Sequence, residues 1–148
     1  MDKFMKRAVE LAVDNVQEGG EPYGAVIVKD GEIVAEGVNT LHKDYDISGH
    51  AELVAIRKLQ KEIQSNDLTG YTMYASGAPC EMCQVAMYNV GIKEVYFGQS
   101  LDEVVEAGFS EDVLTKEELD QFVNSMKQLP LSDDVKNPIQ LYAARESK

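Results

Sequence analysis

The chain has 148 residues, 44% of them hydrophobic and 27% charged, which is the makeup of an ordinary soluble globular domain. Its net charge of −12 argues against nucleic-acid binding, because phosphate recognition draws on a basic face that this composition does not supply. No apolar run approaches the roughly 18 residues of a membrane span, and the opening "MDKFMKRAVELAVDNV" mixes charges among its apolar residues, so neither a membrane helix nor a signal peptide is expected. The expected location is the cytoplasm.

Taken in chain order, "FMKRAVELAVDNV" spaces Phe4, Ala8, Ala12 and Val16 for a helix over residues 2–18, stopped by Gly19-Gly20. "YGAVIVKDGEIVAEGV" reads as two strands around Asp30-Gly31, a type I′ hairpin turn. The polar loop "NTLHKDYDISG" leads to a helix starting near His50 and running through "AELVAIRKLQKEI", apolar around most of its circumference and so expected between layers. "SNDLTG" is a loop and "YTMYAS" a strand. Pro79 suits the first turn of the next helix, "CEMCQVAMYNV", which Gly91 ends. "KEVYFG" is the following strand, and strand, helix, strand at this spacing forms a parallel βαβ unit. Helices are expected at "LDEVVEAG", "TKEELDQFVNSMKQL" and "PIQLYAARESK". The sum is one domain over residues 1–148, a three-layer α/β/α sandwich whose mixed sheet begins with a hairpin.

Two helix starts then stand out, because ligands of open α/β sheets gather where strands end and helices begin. One carries His50 and Glu52, the other Cys80 and Cys83, and these are the chain's only cysteines. His-x-Glu alone is weak and is as easily a structural histidine before a surface glutamate. Two cysteines placed at random fall three apart on the order of 1% of the time, so the Cys-x-x-Cys spacing carries more weight. It also suits a dithiol redox pair at a helix start, but such a pair has no use for the histidine. Zinc wants four tetrahedral ligands, and catalytic sites leave one of them to water. His50, Cys80 and Cys83 supply three, while His42 sits in a polar loop and could only in principle close the set. Glu52, which is not a ligand, is left to serve as general base. A binding protein with structural zinc and a redox protein stay open as readings from other classes.

His50-Ala51-Glu52 followed by Pro79-Cys80 and Cys83 resembles the signature of zinc nucleobase deaminases. The chain is similar to the cytidine-deaminase-like superfamily, in particular to its guanine, cytosine and tRNA adenosine deaminases, from the first helix to about residue 112. The resemblance implies one zinc ion, hydrolytic removal of an exocyclic amino group with Glu52 as proton carrier, and a homodimer built on the helix "QVAMYNV". It further implies that Asn39 contacts the substrate and that the Ala51 N–H holds its carbonyl. "EAGFSED" resembles the segment of bacterial guanine deaminases where an aromatic residue and an acid approach the purine, here Phe109 with Asp112 or Glu111. The sequence departs from these relatives at Ala78, at Asn89 and in its final "ESK". Those departures leave the chemistry intact and bear on the substrate. The expected substrate is a free base, with guanine first and cytosine, a nucleoside or another amino-heterocycle as alternatives.

Overall fold

The structure is a computed structural model that describes residues 1–108 and 115–147. The chain divides into two compact units, residues 1–111 and residues 112–148, and the first holds the sheet.

Helix α1 (Lys3–Gln17) opens on Asp2, whose Oδ1 accepts the N–H groups of Phe4 at 2.8 Å and Met5 at 3.0 Å. It runs out at Gly19, which holds a φ of +93°. Strands β1 (Gly24–Lys29) and β2 (Glu32–Val38) follow as an antiparallel pair joined by two residues, Asp30 and Gly31, at φ +51° and +78°. Left-handed values at both centres make the type I′ turn that matches strand twist.

The expected polar loop contains a short helix, α2 (Leu41–Asp44), ended by Tyr45 in the left-handed region. Helix α3 (Ala51–Ile63) begins with His50 as its cap residue. Its first two turns are buried on most sides through Ala51, Glu52, Val54, Ala55 and Ile56, and its last turn is exposed. Strand β3 (Thr72–Gly77), helix α4 (Glu81–Val90) and strand β4 (Glu94–Gln99) complete the βαβ unit, with β3 and β4 parallel. Pro79 lies two residues before the first residue of α4, outside the first turn it was expected to occupy, because Cys80 takes the cap position. Gly91 ends α4 at φ +93°.

The four-stranded sheet has the order β2-β1-β3-β4, and β1 runs antiparallel to both neighbours. Two glycines set how closely the helices approach it. A Cβ on Gly24 would lie 2.4 Å from the Ala8 carbonyl oxygen of α1, and one on Gly37 would lie 2.3 Å from the Ala51 carbonyl oxygen of α3. Successive residues of a strand face opposite sides, and Gly37 pairs with Ala25, the residue after Gly24. The helices α1 and α3 therefore cover opposite faces, giving the expected three layers. The main core lies on the α3 side, where Ile27, Met73, Ala55, Leu59, Cys83 and Met87 are all buried.

On the other face, Arg7 of α1 forks onto Glu36 of β2 through Nε at 2.6 Å and a terminal nitrogen at 3.0 Å. That hydrogen bond holds the Glu36 carboxyl below its ordinary range. The stabilisation is therefore present above the ordinary glutamate range and fades as pH falls through it; both side chains are over a third exposed, which keeps it below about 1 kcal/mol.

Past the sheet, α5 (Leu101–Glu106) starts with a capping box between Ser100 and Glu103. In the second unit, α6 (Lys116–Ser125) stops short of the expected residue 129, and α7 (Pro138–Glu146) carries its proline in the first turn under an Asn137 cap.

Candidate metal centre and active site

The segment ahead of α3 is tied down from several sides. Asp46 Oδ1 accepts the Ser48 N–H at 2.9 Å and the Ser48 hydroxyl at 2.7 Å. Arg57, nearly two turns into α3, donates to the Ser48 carbonyl at 3.0 Å and pairs with Asp46 at 3.6 Å. The Thr40 N–H donates to the Gly49 carbonyl at 2.8 Å, and a Cβ on Gly49 would come 2.4 Å from the Thr40 hydroxyl. His50 therefore leaves a braced loop in an extended conformation, and its ring makes no cap to its own helix.

Cys80 does the same for α4: an extended cap residue whose side chain does not cap. Cys83 follows in the first turn and is wholly buried. The His50 Nδ1 lies 3.4 Å from the Cys80 sulfur and 3.5 Å from the Cys83 sulfur. All three ligand atoms fall within 4.8 Å of one another, and among the described residues this is the cluster that could hold a metal. Bonds of about 2.05 Å to nitrogen and 2.3 Å to sulfur, at a tetrahedral angle, place nitrogen and sulfur about 3.5 Å apart. The donor set thus has the spacing and the softness for zinc. His42 is exposed on α2 and belongs to no such cluster, so it closes no fourth position.

Electrostatics agree with the geometry. The Cys80 thiol is lowered to about 4, chiefly by the hydrogen bond from Cys83 and also by His50. Cys83 is raised in turn, by holding the proton against Cys80 and by burial. The pair shares one proton and presents one thiolate, at a helix start whose dipole favours negative charge. Glu52 is 5% exposed, and burial raises its carboxyl, with the hydrogen bond to Cys83 pulling the other way. A carboxyl raised by burial and set against the metal ligands is equipped to pass protons.

Asn39 is buried just past β2, its Oδ1 accepting the Leu41 N–H at 3.0 Å. Through Thr40 and Gly49 its backbone adjoins the His50 segment. Ala51 is the first residue of α3, where helix N–H groups have no intrahelical acceptor. Phe109, Glu111 and Asp112 lie outside the described residues. Sequence reasoning passed over Arg57, which no motif marks, and Asn15, a polar residue on the stripe of Ala8 and Ala12 that α1 buries.

Comparison with known proteins fits this centre. The model of the cytidine and deoxycytidylate deaminase zinc-binding region matches residues 1–99. Guanine deaminase of Bacillus subtilis (strain 168) is 43% identical over 117 residues, covering 78% of this chain and 75% of that protein. A tRNA-specific adenosine deaminase of Haemophilus influenzae is 41% identical over 101 residues, 67% of this chain and 58% of that one. The X-ray structure of the Bacillus subtilis guanine deaminase superposes with a TM-score of 0.72, at 34% identity, covering 99% of this chain and 94% of that chain. Since the matched span contains the sheet, both helix starts and the whole ligand trio, the chain belongs to the deaminase family defined by the cytidine and deoxycytidylate deaminase zinc-binding region.

Proposed function

We propose that this protein hydrolyses guanine, exchanging its exocyclic amino group for oxygen and releasing ammonia. The observation that carries the reading is the buried Glu52 placed two residues beyond His50 and against Cys83. His50, Cys80 and Cys83 would hold the zinc, which when bound would supply an activated water. Two thiolates offset much of the metal's charge, so a dedicated base is needed, and Glu52 fills that role. Glu52 takes one proton from the attacking water and gives it to the ring nitrogen of the amidine, then takes the second from the hydroxyl left on the ring carbon and gives it to the departing amine. The Ala51 N–H donates to the ring carbonyl oxygen. Asn39 reads a ring edge: with Oδ1 committed to Leu41, its Nδ2 hydrogens are what it offers an acceptor on the base. Phe109 covers the ring face and Asp112 or Glu111 takes ring N–H donors.

A free base suits the net charge of −12, because a neutral ring meets no repulsion where a polyanion would. The similarity to tRNA-specific adenosine deaminases makes tRNA the competing substrate. Ammonia release over guanine, cytosine, adenine, their nucleosides and triazine analogues is the test. The expected outcome is a kcat/KM for guanine at least about 100-fold above cytosine, since polar groups built to bond one ring reject another, and no turnover of a tRNA anticodon stem-loop at physiological salt. Cytosine or a nucleoside ahead of guanine would move the substrate; turnover of the stem-loop would overturn the charge argument.

The protein works as a symmetric dimer. On α4, Val85 is 59% and Tyr88 67% exposed, and Phe97 of β4 is 52% exposed beside them. The chain's own core leaves this surface uncovered, and a second copy of the same face would bury it. Sedimentation at micromolar concentration should return twice the chain mass; a monomeric mass excludes the dimer. Among the described residues no helix is long and apolar enough to cross a membrane. Because the ligand set needs reduced thiols, the protein belongs in the cytoplasm.

A further inference from the structure

Asn15 is 2% exposed, on a helix whose other buried positions are Ala8 and Ala12. Burying an amide among apolar neighbours is unfavourable unless its hydrogens are bonded. Both of them are. The Asn15 Nδ2 donates to the Glu21 carbonyl at 2.8 Å and to the Asn39 carbonyl at 3.0 Å. These acceptors lie on two separate segments, one leading into β1 and one leaving β2.

The second acceptor matters most. The Asn39 peptide is held on both sides, its N–H by the Tyr23 carbonyl at 3.2 Å and its carbonyl by Asn15. The next residue, Thr40, donates to the Gly49 carbonyl beside His50. A line of hydrogen bonds thus runs from α1 through Asn39 to the residue preceding the metal ligand. The seat beneath Asn15 is equally tight. Gly20 donates its N–H to the Asn15 carbonyl at 2.8 Å, and a Cβ on Gly20 would come 2.5 Å from Asn15 Nδ2 and 2.6 Å from His42 Cε1.

We infer that Asn15 is a positioning residue for substrate specificity: it touches no substrate and sets where Asn39 stands relative to His50 and the Ala51 N–H. The inference rests on Asn39 reading the base, as proposed above. A reading group that binds the ground state and the transition state alike acts on KM and leaves kcat. A residue acting through it must show the same pattern.

The test uses the full zinc-loaded chain and the base with the highest kcat/KM in the panel. Asn15→Ala, Asn39→Ala and the double variant are compared for KM, kcat, zinc content and Tm. Direct binding of the same base is measured with each change in a Glu52→Gln background. Expected for Asn15→Ala is a KM and a dissociation constant raised about five- to tenfold, the scale of one misplaced hydrogen bond. Its kcat stays within about twofold and its zinc at parent content. The double variant should bind no more weakly than Asn39→Ala, because the two act in series. Gly20→Ala, which displaces Asn15 without removing it, should raise KM in the same way and serves if Asn15→Ala does not fold. Unchanged affinity in both Asn15→Ala and Gly20→Ala overturns the inference, as does a penalty that adds in full to that of Asn39→Ala. If Asn39→Ala itself binds normally, the reading of Asn39 falls first and takes this inference with it.

Discussion

Glu52→Gln should leave zinc at one per chain and lower kcat by at least about 10³-fold, within the range a lost general acid–base group removes. Glutamine has nearly the same volume, so the pocket that keeps Glu52 at 5% exposure stays filled. The metal trio does not include this side chain, and its atoms lie within reach of one another without it. What changes is proton transfer alone. An amide cannot take the water's proton, protonate the ring nitrogen or return a proton to the leaving amine. Metal analysis beside an ammonia assay separates the two roles. Activity retained with zinc bound would reject Glu52 as the proton carrier; loss of both would make it part of the metal site.

Cys83→Ala should abolish zinc binding, reducing the metal from one per chain to below about a tenth, with activity lost in parallel. Cys83 is wholly buried and lies 3.5 Å from His50 Nδ1, so its removal leaves one sulfur and one nitrogen where zinc wants at least three protein ligands. No other sulfur or imidazole ligand stands nearby among the described residues, because these are the only two cysteines of the chain and the second histidine is exposed. Cys83→Ser keeps the volume and should lose zinc too, which separates ligation from packing. In the parent protein, zinc affinity should fall as pH drops, because both thiols must be deprotonated to ligate and protons then compete with the metal. Stoichiometric zinc in Cys83→Ala, measured after dialysis against chelator, would contradict the ligand assignment.

Local chemistry made much of this legible in advance. Asp30-Gly31 specifies its turn through φ values that few other residues tolerate, and both are left-handed in the structure. His50 and Cys80 stand at helix caps because each follows a loop and precedes a run of helix formers. Pairings between distant segments left less trace in the residues. The antiparallel match of β1 with β3 joins residues about 50 apart, and no local pattern encodes it. Pro79 was expected inside the first turn of α4, but Cys80 is the cap residue, so the proline stands just ahead of the helix. The short helix α2 has too few residues to show a period. Asn15 looked like one polar residue in a helix, since only the tertiary fold brings the two carbonyls to it.

The residues proposed for the chemistry and the one proposed to read the base stand on different supports. His50, Glu52, Cys80 and Cys83 belong to two helix starts buried against the sheet, whereas Asn39 sits at the end of a hairpin strand, held by a helix on the opposite face. On the proposed roles, recognition is separable from hydrolysis, because the hairpin end and its brace can change without disturbing the two helix starts. On those roles, substitutions at the hairpin end should change which amino-heterocycle is bound while sparing the metal.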